Sequence, residues 1–384
     1  MANRNRLAWT AAALVPLAVL AAACSSGSNS GSSGSSNQSA PMKGAALPTK
    51  PDKTPTSLTE TGSTLLFPLF GSWATAYQKQ FVDSSGAPIV TITTGGTGSG
   101  TGITDAATGT VNIGASDAYL SQANLQQYPG LLNIALAISA QQVNFNVPGV
   151  KKLNLNGSVL AEIYSGKVTN WNDPAIKKLN PGVSLPNLKI IPLHRAESSG
   201  DTFLFTSYMN AQDPSAWSSS NVNTTVSWPN VSGALAETGN SGMIDGCTAN
   251  KGCIAYIGIS YLSKAQDAGL GTASLANKAG KFLQPTAASI KAAAAALTSK
   301  TPANQTLSMI NGPAPDGYPI VNYEYAIVKK SQSDAVKAED IRAFLHWIVH
   351  TGQDQATYLD PVLFQKLPAS VVQQSDAQIA KIGA

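Results

Sequence analysis

Residues 194–203 read HRAESSGDTF, a stretch that packs a histidine, an arginine, two carboxylates and a Ser-Ser-Gly turn together. Two chemistries fit those residue types. In the first, Ser198 or Ser199 is a nucleophile, which needs a base within hydrogen-bond reach and a further group to orient that base. In the second nothing reacts, and the same hydroxyls and backbone amides hold an anion beside Arg195. No G-x-S-x-G elbow surrounds either serine. Strand alternation also sends His194 to the side opposite Arg195, so if the arginine faces an anion the histidine turns away. A metal phosphatase would need a cluster of carboxylates and histidines, and the chain has only 3 histidines. Two of them, His346 and His350 in AFLHWIVH, share a helix face at a spacing that can bind zinc, but Trp347 stands where the metalloprotease pattern needs glutamate. That pair is read as a partly exposed helix face. The chain is therefore read as not an enzyme, with no catalytic residue, metal or cofactor assigned.

Three more loops share this composition: ETGSTLL (60–66), GGTGSGTG (95–102) and GASDAY (114–119). Each offers Ser or Thr hydroxyls, glycine that lets backbone approach a ligand, and a following segment of helical character whose first N–H groups attract anions. The glycine run on its own is weak. It lacks the Gly-Lys-Ser/Thr of a Walker loop and misses the G-x-G-x-x-G spacing. Any one such loop is equally an ordinary turn or cap; four of them with a single arginine point to one anion site.

The elements that must position these loops alternate along the chain. PIVTITT (88–94) precedes the glycine loop and ITDAATG; LKIIPLHR (188–195) precedes AESSG and DTFLFTSYM. Strand, small-residue loop and helix, repeated, imply an α/β architecture with ligand loops at the carboxyl ends of strands. A helix over 203–209 puts Leu204 with Tyr208, and Phe205 with Met209, at core spacing. IKAAAAAL (290–297) reads as an ordinary helix.

At 384 residues the chain exceeds what one core usually supports, so two domains, or one domain with a tail, are expected. Charged residues are 12% and the formal surplus is +4, with no dense Lys/Arg stripe, which argues against a nucleic-acid partner. Arg4 and Arg6 precede an apolar run carrying Pro16, the pattern of an export signal over 1–23. Cys24 directly follows Leu20, Ala21, Ala22 and Ala23. This resembles the lipobox of bacterial lipoproteins, departing from it at Ala21 where leucine is usual, and implies that Cys24 is lipidated and becomes the mature N-terminus. Residues 24–57 are Ser/Gly-rich and then Pro/Lys-rich, too poor in apolar side chains to fold, and are read as a tether. The remaining cysteines, Cys247 and Cys253, have no nearby histidine for a zinc site, and an exported chain permits a disulfide between them.

ETGSTLLFPLF, GTGSGTGI, VNIGASDAYLS and HRAESSGDTFLFTSYM, in this order, resemble the phosphate-binding proteins of high-affinity ABC phosphate importers, especially the lipid-anchored actinobacterial form. The likeness extends to WNDPAIKKLNPG (171–182), CIAYIGISYL (253–262) and FLHWIVHTG. It implies a two-domain periplasmic-binding-protein fold, type II-like, with two interdomain crossovers and a ligand cleft between domains. Domain 1 would comprise 58–138 plus 319–384, and domain 2 139–318. By position, Ser63, Thr64 and Leu65 match the first ligand loop, Ser99 the donor of the glycine loop and Asp117 the acceptor aspartate. Arg195, Ser199, Gly200 and Asp201 match the second domain's loop, where position 201 varies between threonine and aspartate. The implied partners are inorganic phosphate, the permease and ATPase subunits of the importer, and the cell membrane through the N-terminal lipid, facing the extracytoplasmic side.

Phosphate explains why donors and a carboxylate stand together. Near neutrality it carries bare oxygens for Arg195, the hydroxyls and the amides, and a P–OH that Asp117 can accept. Sulfate lacks that proton and would leave the carboxylate unpaired, so discrimination arises from the penalty on the wrong anion. A site for sulfate or molybdate, the competing reading, would favour donors alone. Asp201 is expected either as a second proton acceptor or as a solvent-facing carboxylate complementing its helix dipole.

Overall fold

The computed structural model describes residues 46–383. The signal segment, Cys24 and the tether as far as residue 45 lie outside them. The described strands in chain order are β1 (Thr56–Gly62), β2 (Val90–Thr93), β3 (Ile113–Ser116), β4 (Leu131–Phe145), β5 (Asn154–Leu155), β6 (Ile191–Arg195), β7 (Leu235–Glu237), β8 (Cys253–Gly258), β9 (Gly271–Thr272), β10 (Ser274–Ala276), β11 (Phe282–Leu283) and β12 (Val321–Lys329). Eight of them run β2-β1-β3-β12-β4-β8-β6-β7, with β9 pairing β4 off this path, and β11-β10-β5 form a small separate sheet.

Two parallel triads, β2-β1-β3 and β8-β6-β7, are joined by two antiparallel strands. β12 pairs β3 and the first part of β4. β4 pairs β12 as far as Ala140 and then β8 from Gln141 on. From Ile134 to Phe145 β4 reads as an unbroken buried run. Helices Gly200–Gln212, Ala287–Ala295, Ala335–His350 and Ala369–Ile379 pack on it, the pattern of strands buried on both faces.

Helix formation follows local signals. Helix Phe67–Gln80 has Pro68 in its first turn and buries Leu69, Phe70, Trp73, Ala74 and Tyr77 at three- and four-residue spacing. Asp334 caps helix Ala335–His350 by accepting from the N–H groups of Val336 and Lys337. Thr286 and Ser289 form a reciprocal cap at the start of the Ala-rich helix. The helix read over 203–209 runs Gly200–Gln212, with Leu204, Phe205, Tyr208 and Met209 all buried. Cys247 and Cys253 are bridged, tying the end of helix Gly239–Ala249 to the start of β8.

The tether reading over-reaches at its carboxyl end. β1 starts at Thr56, and Asp340 on helix Ala335–His350 accepts from the Asp52 N–H (2.9 Å) and the Thr56 hydroxyl. One buried carboxylate thus fastens residues 52–56 to the body. Among the described residues no helix is long and apolar enough to cross a membrane.

Candidate functional site

Each parallel strand that matters here ends in a loop and then a helix. β1 leads through Ser63 and Thr64 to Phe67–Gln80, β2 through the glycine loop to Ser99–Thr108, β6 through the Ser-Ser turn to Gly200–Gln212, and β7 through Thr238 to Gly239–Ala249. The antiparallel strands between the two triads set their carboxyl ends against each other, so four helix N-termini gather at one place. Arg195 lies at its centre, with its side chain 1% exposed. Nη1 donates to Asp201 Oδ2 (2.8 Å), Nη2 to Thr64 Oγ1 (3.0 Å), and Nε to Glu197 Oε1 (2.8 Å), with Nη2 also in contact with Glu197. Asp117, at the end of β3, touches the Ser63 hydroxyl, and the Ser99 hydroxyl donates to its Oδ2 (3.3 Å). Across the centre, Gly100 N–H donates to Ser198 O (3.1 Å).

Gly200 marks the closest approach between the two loop sets. A Cβ there would stand 2.5 Å from Asp117 Oδ2 and 2.6 Å from Ser99 Oγ, so only glycine lets the first turn of Gly200–Gln212 meet the aspartate. Ser199 Oγ is buried with no hydrogen-bond partner. A cavity of about 660 Å³ opens alongside, between Thr101 and Tyr119 on one side and Ser198, Phe203 and Thr224 on the other.

Comparison with known proteins decides what this assembly belongs to. A family model described as a PBP superfamily domain matches residues 48–351. The phosphate-binding protein PstS of Haemophilus influenzae is 31% identical over 334 residues, covering 86% of this chain and 95% of that protein. The chain belongs to the PstS family of phosphate-binding proteins. The PstS of Methanocaldococcus jannaschii is likewise 31% identical, over 76% of this chain and 78% of that protein. The fold matches a phosphate-binding protein structure from Stenotrophomonas maltophilia with a TM-score of 0.65 at 20% identity, covering 84% of this chain and 93% of that one.

Set in the PstS fold, the residues expected from sequence fall together. Ser63, Thr64, Leu65, Ser99, Asp117, Arg195, Ser199, Gly200 and Asp201 are all buried at the meeting of the loops. Ser63 N–H is donated to Ala115 O, so its hydroxyl is what it brings to Asp117. Leu65 O accepts from the Ser260 hydroxyl (2.7 Å). His194 does face away from Arg195, stacked on Trp228 with ring centroids 5.2 Å apart. Ser198 bonds Thr224 instead of any base. Asp201 is fully buried, which excludes the solvent-facing reading. Its oxygens are already engaged, Oδ2 by Arg195 and Asn240 and Oδ1 by Gln141 Nε2 (2.9 Å).

Several members of this centre escaped sequence reasoning. Glu197 pairs with Arg195 from within the stretch that drew attention first. Asn240 donates to Thr64 Oγ1 (2.9 Å) and Asp201 Oδ2 (2.8 Å) from a Thr-Gly-Asn-Ser-Gly helix start, a fifth loop of the same composition that could have been recognised. Gln141 on β4 and Glu324 on β12 carry no local signal, because only the strand pairing brings them in. Glu324 is fully buried, accepts at Oε1 from Asn322 (2.9 Å) and Ser139 (2.5 Å), and has no donor at Oε2.

The electrostatics follow from this crowding. Burial, and then the charge of Asp201, push the Asp117 carboxyl up to about 7, with Glu324, Ser63 and Arg195 pulling the other way. Burial and the adjacent Asp117 raise Glu324 well above the carboxylate range. Of these two neighbouring carboxyls Glu324 is raised further, so it is the one that holds its proton more firmly. Burial works against the charge on Arg195, but Asp201 and Glu197 outweigh it and keep the guanidinium protonated.

Proposed function

We propose that this chain captures inorganic phosphate outside the cytoplasmic membrane and delivers it to the permease and ATPase subunits of an ABC importer. The observation that carries this reading is Asp117, a buried carboxylate bonded to the Ser63 and Ser99 hydroxyls and close enough to Arg195 to feel its charge. In that setting an incoming P–OH meets an acceptor, while the other phosphate oxygens meet donors.

Thr64, Leu65 and Ser99 would give donors from the first triad, and Arg195, Ser199 and Gly200 donors from the second. Ser199 Oγ is free for this task, being buried and unpartnered. Arg195 directs its fork at Thr64, Glu197 and Asp201, and phosphate would take over the contact with Thr64 while the carboxylates keep the guanidinium aimed. Asp201 then acts as a positioning residue for Arg195. Residues 58–138 with 319–384, and 139–318, would form the two domains that close on the ligand; the change of β4 partners after Ala140 supports a boundary there. Cys24 would carry the lipid, with the residues up to about 50 as the tether.

The test is a thermal shift with phosphate, arsenate, sulfate and molybdate at equal concentration. Phosphate and arsenate, which share a protonation pattern, should raise Tm and the other two should not. Stabilisation by sulfate but not phosphate would overturn the assignment. For the anchor, metabolic labelling with palmitate should mark the wild type and not Cys24→Ser; equal labelling of both would refute it.

A further inference from the structure

We propose that His346, His350 and Asp376 form a binding site for a divalent transition metal ion of the zinc type, remote from the phosphate centre. From sequence the two histidines form only a helix face. The fold adds Asp376 from the final helix, Ala369–Ile379, and changes the chemistry available. His346 Nδ1 lies 3.0 Å from Asp376 Oδ1, and His350 Nε2 lies 3.0 Å from Oδ2 and 3.2 Å from Oδ1. The imidazole rings are 4.2 Å apart, and the three ligand atoms lie within 4.8 Å of one another. A tetrahedral zinc ion with bonds of about 2.0–2.2 Å holds its ligand atoms roughly 3.3–3.6 Å apart, so small side-chain adjustments bring all three onto one ion.

The donor set selects the metal. Two imidazoles and one carboxylate suit zinc, nickel, cobalt or copper, whereas magnesium and calcium require an oxygen shell that these residues do not provide. Each of these ring nitrogens faces the carboxylate, and a metal bound there takes the neutral imidazole tautomer whose N–H sits on the other ring nitrogen. The ligands are also held in place before a metal arrives. Phe344, Leu345, Trp347 and Ile348 are buried on the inner side of helix Ala335–His350 and fix its rotation. On either side of Asp376, the Ser375 hydroxyl donates to Ala135 O (2.8 Å) and Gln378 Nε2 to Ala303 O (2.5 Å), which fixes the final helix. His350 is about half exposed, which leaves the ion a route in and a fourth position for water.

The experiment is a zinc titration of the purified full chain by calorimetry, in a phosphate-free, non-chelating buffer, with a parallel cobalt titration read by visible absorption. One saturable site per chain is expected, with the absorption band of tetrahedral cobalt and no competition from magnesium. Loss of outer-sphere partners of a metal typically costs about 10–100-fold in affinity. Removal of a ligand in His350→Ala or Asp376→Asn should cost no less, with phosphate affinity unchanged. Absence of saturable binding, or equal zinc affinity in the wild type and the His346→Ala/His350→Ala double variant, would overturn the proposal.

Discussion

Glu60 allows a clean test of the electrostatics of this fold, because it is buried on β1 with both carboxylate oxygens unpartnered, and its titration lies close to neutrality. Burial pushes its carboxyl from 4.5 up to about 8. Below the unfolded value both states hold the proton and burial costs nothing extra. Above it the unfolded chain has released the proton while the folded chain still holds it, so stability falls as pH rises. Each pH unit in that window removes about 1.4 kcal/mol, and the total approaches about 5 kcal/mol by pH 8. Glu60→Gln stays neutral throughout. The stability of the variant minus that of the wild type should therefore climb by about 4 kcal/mol between pH 5 and pH 8. Urea unfolding of both proteins at pH 5, 6, 7 and 8, without phosphate, measures this difference. The contributions of Asp117 and Glu324 are common to both and cancel. A difference constant with pH would refute the reasoning.

Three other perturbations probe the site and its support. In Gly200→Ala the new methyl would strike Asp117 and Ser99; overpacking of this kind costs about 1–3 kcal/mol of folding stability, read by urea unfolding without phosphate, and an unaffected stability would mean the loops do not meet there. Asp201→Asn should weaken phosphate binding through the loss of Arg195's partner and, because the charge of Asp201 raises the Asp117 carboxyl, move the Asp117 limb of the pH profile of affinity to lower pH; a limb that stays in place would refute that coupling. Cys247→Ser should lower unfolding stability by about 2 kcal/mol, the chain-entropy value for so short a loop, without changing phosphate affinity.

What the sequence made legible was local. Hydroxyl, glycine and a following helix recur in contiguous stretches, so the loops of Ser63, Ser99, Asp117 and Arg195 could be found one at a time, and alternation alone turned His194 away. The partners of those residues were not local. Glu324 meets Asp117 only because β12 pairs with β3, some two hundred residues away along the chain, and Gln141 reaches Asp201 only because β4 runs past the second triad. Asp201 shows the same limit from the other side. Its position at a helix start was readable, but Gln141, Asn240 and Arg195, which occupy its oxygens, come from three different elements. The tether's end was missed because Asp340, which captures residues 52–56, lies far along the chain.

The pairing of β3 with β12 has a consequence for how the molecule comes into being. β12 begins at Val321, so the strand that carries Asp117 keeps an open edge until nearly the whole chain has been synthesised. Contacts of such long sequence separation form slowly and only after the intervening loop has closed. A nascent chain of this topology can pair its first triad but cannot cover the open edge of β3 while it is still emerging. For a chain exported unfolded, this delay lets translocation run ahead of folding without the sequence having to be poorly stable once outside.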